Sequence, residues 1–339
     1  MAEIELSIVV PFLNEREQLP EFLADLLCQQ AVVFELLFVD GGSGDGGLEW
    51  LRQASFPGEI LSSPAGRAKQ MNCGAGRAVA DWLLFLHVDS RFDDPYALRR
   101  GLDELQQTGS GHLAGHFALR FRRSEDTSSA GYYYYEWKAR LGRSETIHGD
   151  QGFLLRRDFF RQLDGFDENL RVMEDTDFAE RLRDIGQWQL LTAEISTSAR
   201  RFEIEGLWQR QLLGALIMCF REIGWQQFFA EAPNVYRQQA ATDQLQLWPF
   251  FQLIRRLMAA LSTRQRWQLW WQLAFAIDAR NAFRRGVPVG QGDLWWCEKF
   301  EPLYNLLSDN LLGRFAATSL LRCWFEVTAL WLRLKESRS

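Results

Sequence analysis

The stretch SIVVPFLNE (residues 7–15) decides the fold, because a short β-branched, apolar run that breaks at a polar turn reads as a buried strand. The run covers residues 4–12, and Leu13, Asn14 and Glu15 form the turn. A helical pattern over residues 17–29 follows, then a second buried-strand run over 34–39, closed by Asp40-Gly41-Gly42. The alternation continues with a helix at 48–53, a strand at 59–61, a helix at 67–80 and a strong strand at 82–87. Strand and helix in alternation imply an α/β domain with a mostly parallel central sheet and helices on its faces. Ligands collect beyond the carboxyl ends of such strands, where Asn14-Glu15, Asp40-Gly41 and Asp89 all fall.

Farther along, residues 113–122 read as a strand, 149–155 as strand plus turn, and 174–185 as an amphipathic helix with Phe178, Leu182 and Ile185 on one stripe. After residue 237 the pattern becomes helical and rich in tryptophan, so the expected division is an α/β domain over 1–237 and a helical accessory region over 238–339. With 47% hydrophobic residues in 339, the chain can bury a real core. A net charge of -6 argues against coating nucleic acid, which needs an excess of cations. Cys28, Cys73, Cys219, Cys297 and Cys323 lack any CxxC spacing and read as core residues in a reducing compartment. The acidic start does not fit a signal peptide, and the apolar stretches 212–220 and 315–334 are too short or interrupted by charge for a membrane span. A cytoplasmic protein is expected, with peripheral attachment to the inner membrane face as an option.

Six motifs in order, SIVVPFLNE, FVDGGSGDGG, GRAKQMNCGA, LLFLHVDS, GDQGFLLRRDFF and MEDTDFAERL, resemble family 2 glycosyltransferases of the GT-A fold. More narrowly, they resemble a compact bacterial "transferase 2" group associated with radical-SAM and selenium-related gene sets. The resemblance implies a nucleotide diphosphate sugar donor, usually a UDP-sugar, a divalent cation (Mn2+ or Mg2+) and inversion at the anomeric carbon.

Asp89 suits a hard cation on its own chemistry, as a carboxylate at the end of an apolar strand. The family's Asp-x-Asp is here His87-Val88-Asp89, so only Asp89 keeps the metal-ligand assignment. His87 either meets ribose, or metal through water, or simply packs. By the resemblance, Asp40 bonds the nucleobase, Gly41 admits the nucleotide, and Pro11, Asn14 and Glu15 form the first nucleotide loop; Glu15 alternatively caps the next helix. Arg67 and Lys69 open a helix, where cations oppose the helix dipole, so a nearby diphosphate would account for them. Asp175 matches the catalytic base and Glu174 a neighbouring orienting group, although the dipole alone favours carboxylates there. Asp150 and Gln151 match an acceptor-side loop, and Arg200 and Arg201 a late motif that closes over the diphosphate or forms ion pairs.

Rival readings are a sugar-phosphate nucleotidyltransferase, which lacks its usual early phosphate loop here, and a non-catalytic sugar-nucleotide scaffold. The aromatic run Tyr132 to Tyr135 with Trp137 reads as a sugar or lipid contact or a packed crossover. From Ala240 onward there are thirteen Lys/Arg against eight Asp/Glu, a balance of +5. With Trp267, Trp270, Trp271, Trp295, Trp296, Trp324 and Trp331, that balance fits an anionic membrane surface, a helical core or an oligomer interface.

Overall fold

The computed structural model describes residues 3–124, 130–142, 146–237, 239, 244–280 and 310–336. The chain divides into two compact units, Met1–Ala199 and Arg200–Ser339.

In the first unit, β1 (Leu6–Phe12) is buried at all seven positions, as a continuous apolar run with both faces covered should be. It pairs in parallel with β2 (Phe34–Asp40), from Leu6 opposite Phe34 to Phe12 opposite Asp40, so the two strands end level. β3 (Gly58–Ser62) adds to β2, and β4 (Trp82–Phe85) lies on the other side of β1, both parallel. The full order is β3-β2-β1-β4-β6-β5-β7, with β5 at Leu113–Arg122, β6 at Phe153–Arg156 and β7 at Gln187–Ser198. β6 alone runs against its neighbours, so it enters the sheet from the edge where the others leave it.

Helices α1 (Leu19–Leu27), α2 (Gly47–Gln53), α3 (Arg67–Arg77), α4 (Ala97–Gln107), α5 (Ala130–Lys138), α6 (Arg157–Gln162) and α7 (Glu174–Ile185) complete the unit. Two expected helices are shorter than their patterns. Pro20 sits in the first turn of α1, where a missing N–H costs nothing. α3 stops at Arg77: the Ala78 N–H makes the last helical bond, to the Gly74 carbonyl (3.1 Å), and the Val79 N–H leaves the ladder to donate to the buried Glu35 carboxylate (2.9 Å). β7 and α4 are absent from the sequence reading; β7 is half polar, so its apolar run never stands out. The aromatic run is helical, within α5, with Tyr132 and Trp137 buried and Tyr133 and Tyr134 exposed.

The second unit is helical: α8 (Arg200–Glu205), α9 (Leu207–Glu222), α10 (Gln226–Arg237), α11 (Trp248–Ala259), α12 (Thr263–Arg280) and α13 (Leu311–Glu336). The first unit therefore closes well before residue 237. Leu213 and Phe220 of α9 and Phe228 of α10 are buried with Phe250, Ile254 and Phe325, which draws residues 200–237 into the helical core. Trp270 is buried in that core, whereas Trp324 and Trp331 are exposed; Trp295, Trp296 and Cys297 lie outside the described residues. Among the described residues no helix is long and apolar enough to cross a membrane.

Candidate active site

The site forms at the carboxyl edge of the sheet, in two adjoining halves. On the β1–β2 side, the loops after both strands are tied to each other. Asn14 takes a left-handed conformation (φ 56°), which asparagine tolerates, and its Oδ1 accepts the Gly44 N–H (2.9 Å) while its own N–H donates to Ser43 Oγ (3.0 Å). The Arg16 N–H donates to Asp45 Oδ2 (2.8 Å). Asp40, 4% exposed, accepts the Ser43 N–H (2.9 Å). Pro11, which has no N–H to offer, sits past the point where β4 stops. The Glu15 carbonyl accepts the N–H groups of Gln18 and Leu19, so its backbone starts α1.

Beneath these loops lies Gln70, a residue the sequence reading passed over. Its buried Nε2 donates to the carbonyls of Phe12 and Val39, both at 2.8 Å, and so joins the ends of β1 and β2. The Gln70 amide also explains Gly41: a Cβ there would approach it to 3.0 Å.

The second half is built from the end of β4, the 3₁₀ turn Gly149–Gln151 and the start of α7. Buried Arg91 and half-buried Arg122 hold the segment after β4. Arg91 Nη1 donates to the carbonyls of Val88 (2.9 Å) and Ser90 (2.7 Å), and Arg122 donates to the carbonyls of Asp89 (2.8 Å) and Ser196 (2.7 Å). Neither arginine carries a recognisable motif in the sequence. They turn Asp89 toward a cluster in which its charge and that of Asp175 both act on Asp150. His87 packs against the turn so closely that a Cβ on Gly149 would lie 2.9 Å from its Nε2.

Asp175 is the most supported carboxylate. Its Oδ2 accepts the Gly149 N–H (2.8 Å) and its Oδ1 the Thr176 N–H (2.7 Å), while His148 Nδ1 lies 3.0 Å from Thr176 Oγ1. Burial pushes its carboxyl up, but His148, the Gly149 N–H, Arg67 and the Thr176 N–H outweigh that and hold it below its ordinary value. Next to it, Glu174 is 5% exposed and is pushed up, first by burial and then by the charge of Asp175, with Arg67 opposing from 4.0 Å. Arg67, expected at the diphosphate, also stands beside the carboxylate pair, and Lys69 folds its stem back over Gly66.

Asp150 is pushed up to about 7, first by burial, then by Asp175 and Asp89. Its Oδ1 is fully shielded and has no hydrogen-bond partner. Gln151 turns the other way. It is 1% exposed, its Nε2 donates to the Thr146 carbonyl (2.7 Å), and it stands beside buried His116, whose imidazole burial pushes down to about 4. Arg200 and Arg201 belong to α8, in the second unit, and are both exposed. Among the described residues no three His, Cys, Asp or Glu are gathered to hold a metal ion by themselves.

Residues 7–164 match the sequence model of the family described as Glycosyl transferase family 2. The chain is 27% identical over 187 residues to an uncharacterised glycosyltransferase of Haemophilus influenzae, a match covering 52% of this chain and 61% of that protein. It is 29% identical over 184 residues to the PGL/p-HBAD biosynthesis glycosyltransferase of Mycobacterium bovis, covering 52% of this chain and 69% of that one. The fold is similar to that of Staphylococcus aureus TarS 1-349 in complex with UDP, at a TM-score of 0.50 and 16% identity, over 81% of this chain and 88% of that chain. These relatives lend no support to the narrower bacterial group expected above.

Proposed function

We propose, from a first unit that carries a family 2 glycosyl transferase domain, that the chain moves a sugar from a nucleotide diphosphate donor to an acceptor hydroxyl with inversion. A UDP-sugar is the donor favoured, because the solved TarS chain of similar fold holds UDP.

The observation that carries the reading is the pair of unlike carboxyls at the head of α7. Asp175 is kept ionised and hydrogen-bonded while Glu174 is pushed toward its protonated form. Single-displacement transfer needs one ionised carboxylate to take the acceptor's proton as its oxygen attacks the anomeric carbon. Asp175 fills that role, and Glu174 orients the acceptor or Asp175. As the bond to the diphosphate breaks, Arg67 and Lys69 receive the charge that leaves with it. Asp40 reads the base, while Asn14 and Glu15 face the ribose.

A divalent cation, Mn2+ or Mg2+, fits the same edge. Asp89 and the shielded, unpartnered Asp150 Oδ1 are hard oxygen donors whose mutual repulsion a cation would relieve. When bound it would supply charge stabilisation at the diphosphate. Gln151, tied inward, supports the turn rather than the acceptor, so in this reading Asp150 alone represents that loop in the carboxylate cluster.

A thermal-shift panel of nucleotide diphosphate sugars, with and without manganese or magnesium, tests the reading. A ligand that binds only the folded state raises its melting temperature, and one donor is expected to do so in a metal-dependent way. Absence of any shift with every donor and either metal would sink it.

A further inference from the structure

The packed face of α13 is ordinary: Thr318, Phe325, Ala329 and Leu332 are all buried against the helical core. The opposite face is not. Leu320, Cys323, Trp324, Val327, Leu330, Trp331 and Leu334 recur at helical spacing and are all exposed, with Leu320 at 71%, Val327 at 62% and Leu330 at 56%. At 1.5 Å per residue this stripe runs about 21 Å without a charged side chain on it. Trp208 of α9, itself exposed, meets the Trp331 ring edge-on at 5.7 Å and widens the patch. Among the described residues nothing covers this face, and monomeric soluble surfaces rarely leave so continuous an apolar face bare.

The borders of the stripe identify what covers it. Lys335 lies over the Trp331 ring at 5.6 Å on one border, and on the other exposed Arg322 and Arg333 flank Glu326, whose charge is met by Arg255 at 3.6 Å. Tryptophan and cations flanking an apolar stripe are what a helix needs to lie in a headgroup layer, with indole at the boundary and cations among the phosphates. We propose that α13 docks the helical unit flat on an anionic lipid bilayer. A second copy of the chain fits less well, because residues 240–339 carry +5 and a partner copy would bring the same charge. An anionic surface complements it. The helix lies on the bilayer rather than crossing it, since it is not apolar enough to span.

Flotation of the full chain with vesicles of phosphatidylcholine alone, or mixed with phosphatidylglycerol, tests the proposal. Binding is expected only with phosphatidylglycerol and should fall as salt shortens the screening length from about 10 Å at 0.1 M to about 3 Å at 1 M. Val327→Glu should lower the partition at least about tenfold, since it places a charge where an apolar side chain would be buried. Val327 is exposed, so the variant's melting temperature should match the wild type, which separates lost docking from lost folding. The double variant Arg333→Gln, Lys335→Gln should weaken the dependence on phosphatidylglycerol. Failure to float with anionic vesicles, equal flotation with both compositions, or a dimer in light scattering that Val327→Glu dissolves would each overturn the assignment. Neither donor nor catalysis enters the assay, so its failure leaves the transferase reading untouched.

Discussion

The two halves of the ligand edge are held in opposite ways. On the β1–β2 side, neutral or backbone hydrogen bonds do the work: Asn14 to the 43–44 backbone and hydroxyl, Asp40 to the Ser43 N–H, and Gln70 to two strand-end carbonyls. On the β4–α7 side, Asp89, Asp150, Glu174 and Asp175 are crowded together, and the charge of Arg67 opposes the last three. The first half is satisfied without a ligand and presents a finished surface. The second carries an unpartnered carboxylate oxygen and a carboxyl near neutrality, so its electrostatics improve when a cation or proton arrives.

The sharpest way to break that contrast is Asp175→Asn. If the carboxylate half does the chemistry, transfer slows at least on the order of a hundredfold while donor affinity, measured by calorimetry, stays nearly level. Near-normal turnover would move the base elsewhere. Asp89→Asn is expected to abolish the metal dependence of donor binding, weakening affinity on the order of tenfold or more, the lower end of what loss of a ligand-supporting group costs at metal sites. Unchanged metal-dependent affinity would remove Asp89 from the site.

On the satisfied half, Gln70→Leu should cost stability, not chemistry. It removes the amide donor from the carbonyls of Phe12 and Val39 and leaves Phe12 with the Gly41 N–H alone, and the two lost bonds are together worth about 1–3 kcal/mol in urea denaturation. An unchanged midpoint would mean those carbonyls find other donors. The smallest effect concerns pH. The Asp150 carboxyl is raised to about 7, so its contribution to stability is whole below the ordinary value of 3.8 and is lost as pH climbs through 7. Melting curves in chelator should show Asp150→Asn losing less stability than wild type across that window; parallel curves would contradict the shift.

The same contrast governs what the sequence disclosed. Strand runs ending in polar turns were readable because parallel strands are buried on both faces, so Leu6 to Phe12 and Phe34 to Asp40 announce themselves. Asn14, Asp40, Asp89, Asp150, Glu174 and Asp175 were legible as motif residues. Their supports were not: Gln70, Arg122 and His148 act across separations that no local pattern encodes, such as 58 residues from Gln70 to Phe12. Gln151 shows the limit from the other side, since its neighbour Asp150 faces the cluster while its own amide turns inward. In the tail, counting tryptophans could not separate Trp270, a core residue, from Trp331, a surface one, because each is flanked by similar apolar residues.

The reversed direction of β6 bears on how such a protein can vary. Because β5 leaves the sheet at the ligand edge and β6 enters it there, the whole of residues 123–152 starts and finishes on that edge. Length can be added on either side of α5, whose Tyr132 and Trp137 are buried, without shifting the register of β3, β2, β1 and β4, and loop closure makes such changes cheap. Grafting there is therefore the engineering route that alters what meets the carboxylates while leaving the finished half of the edge as it is.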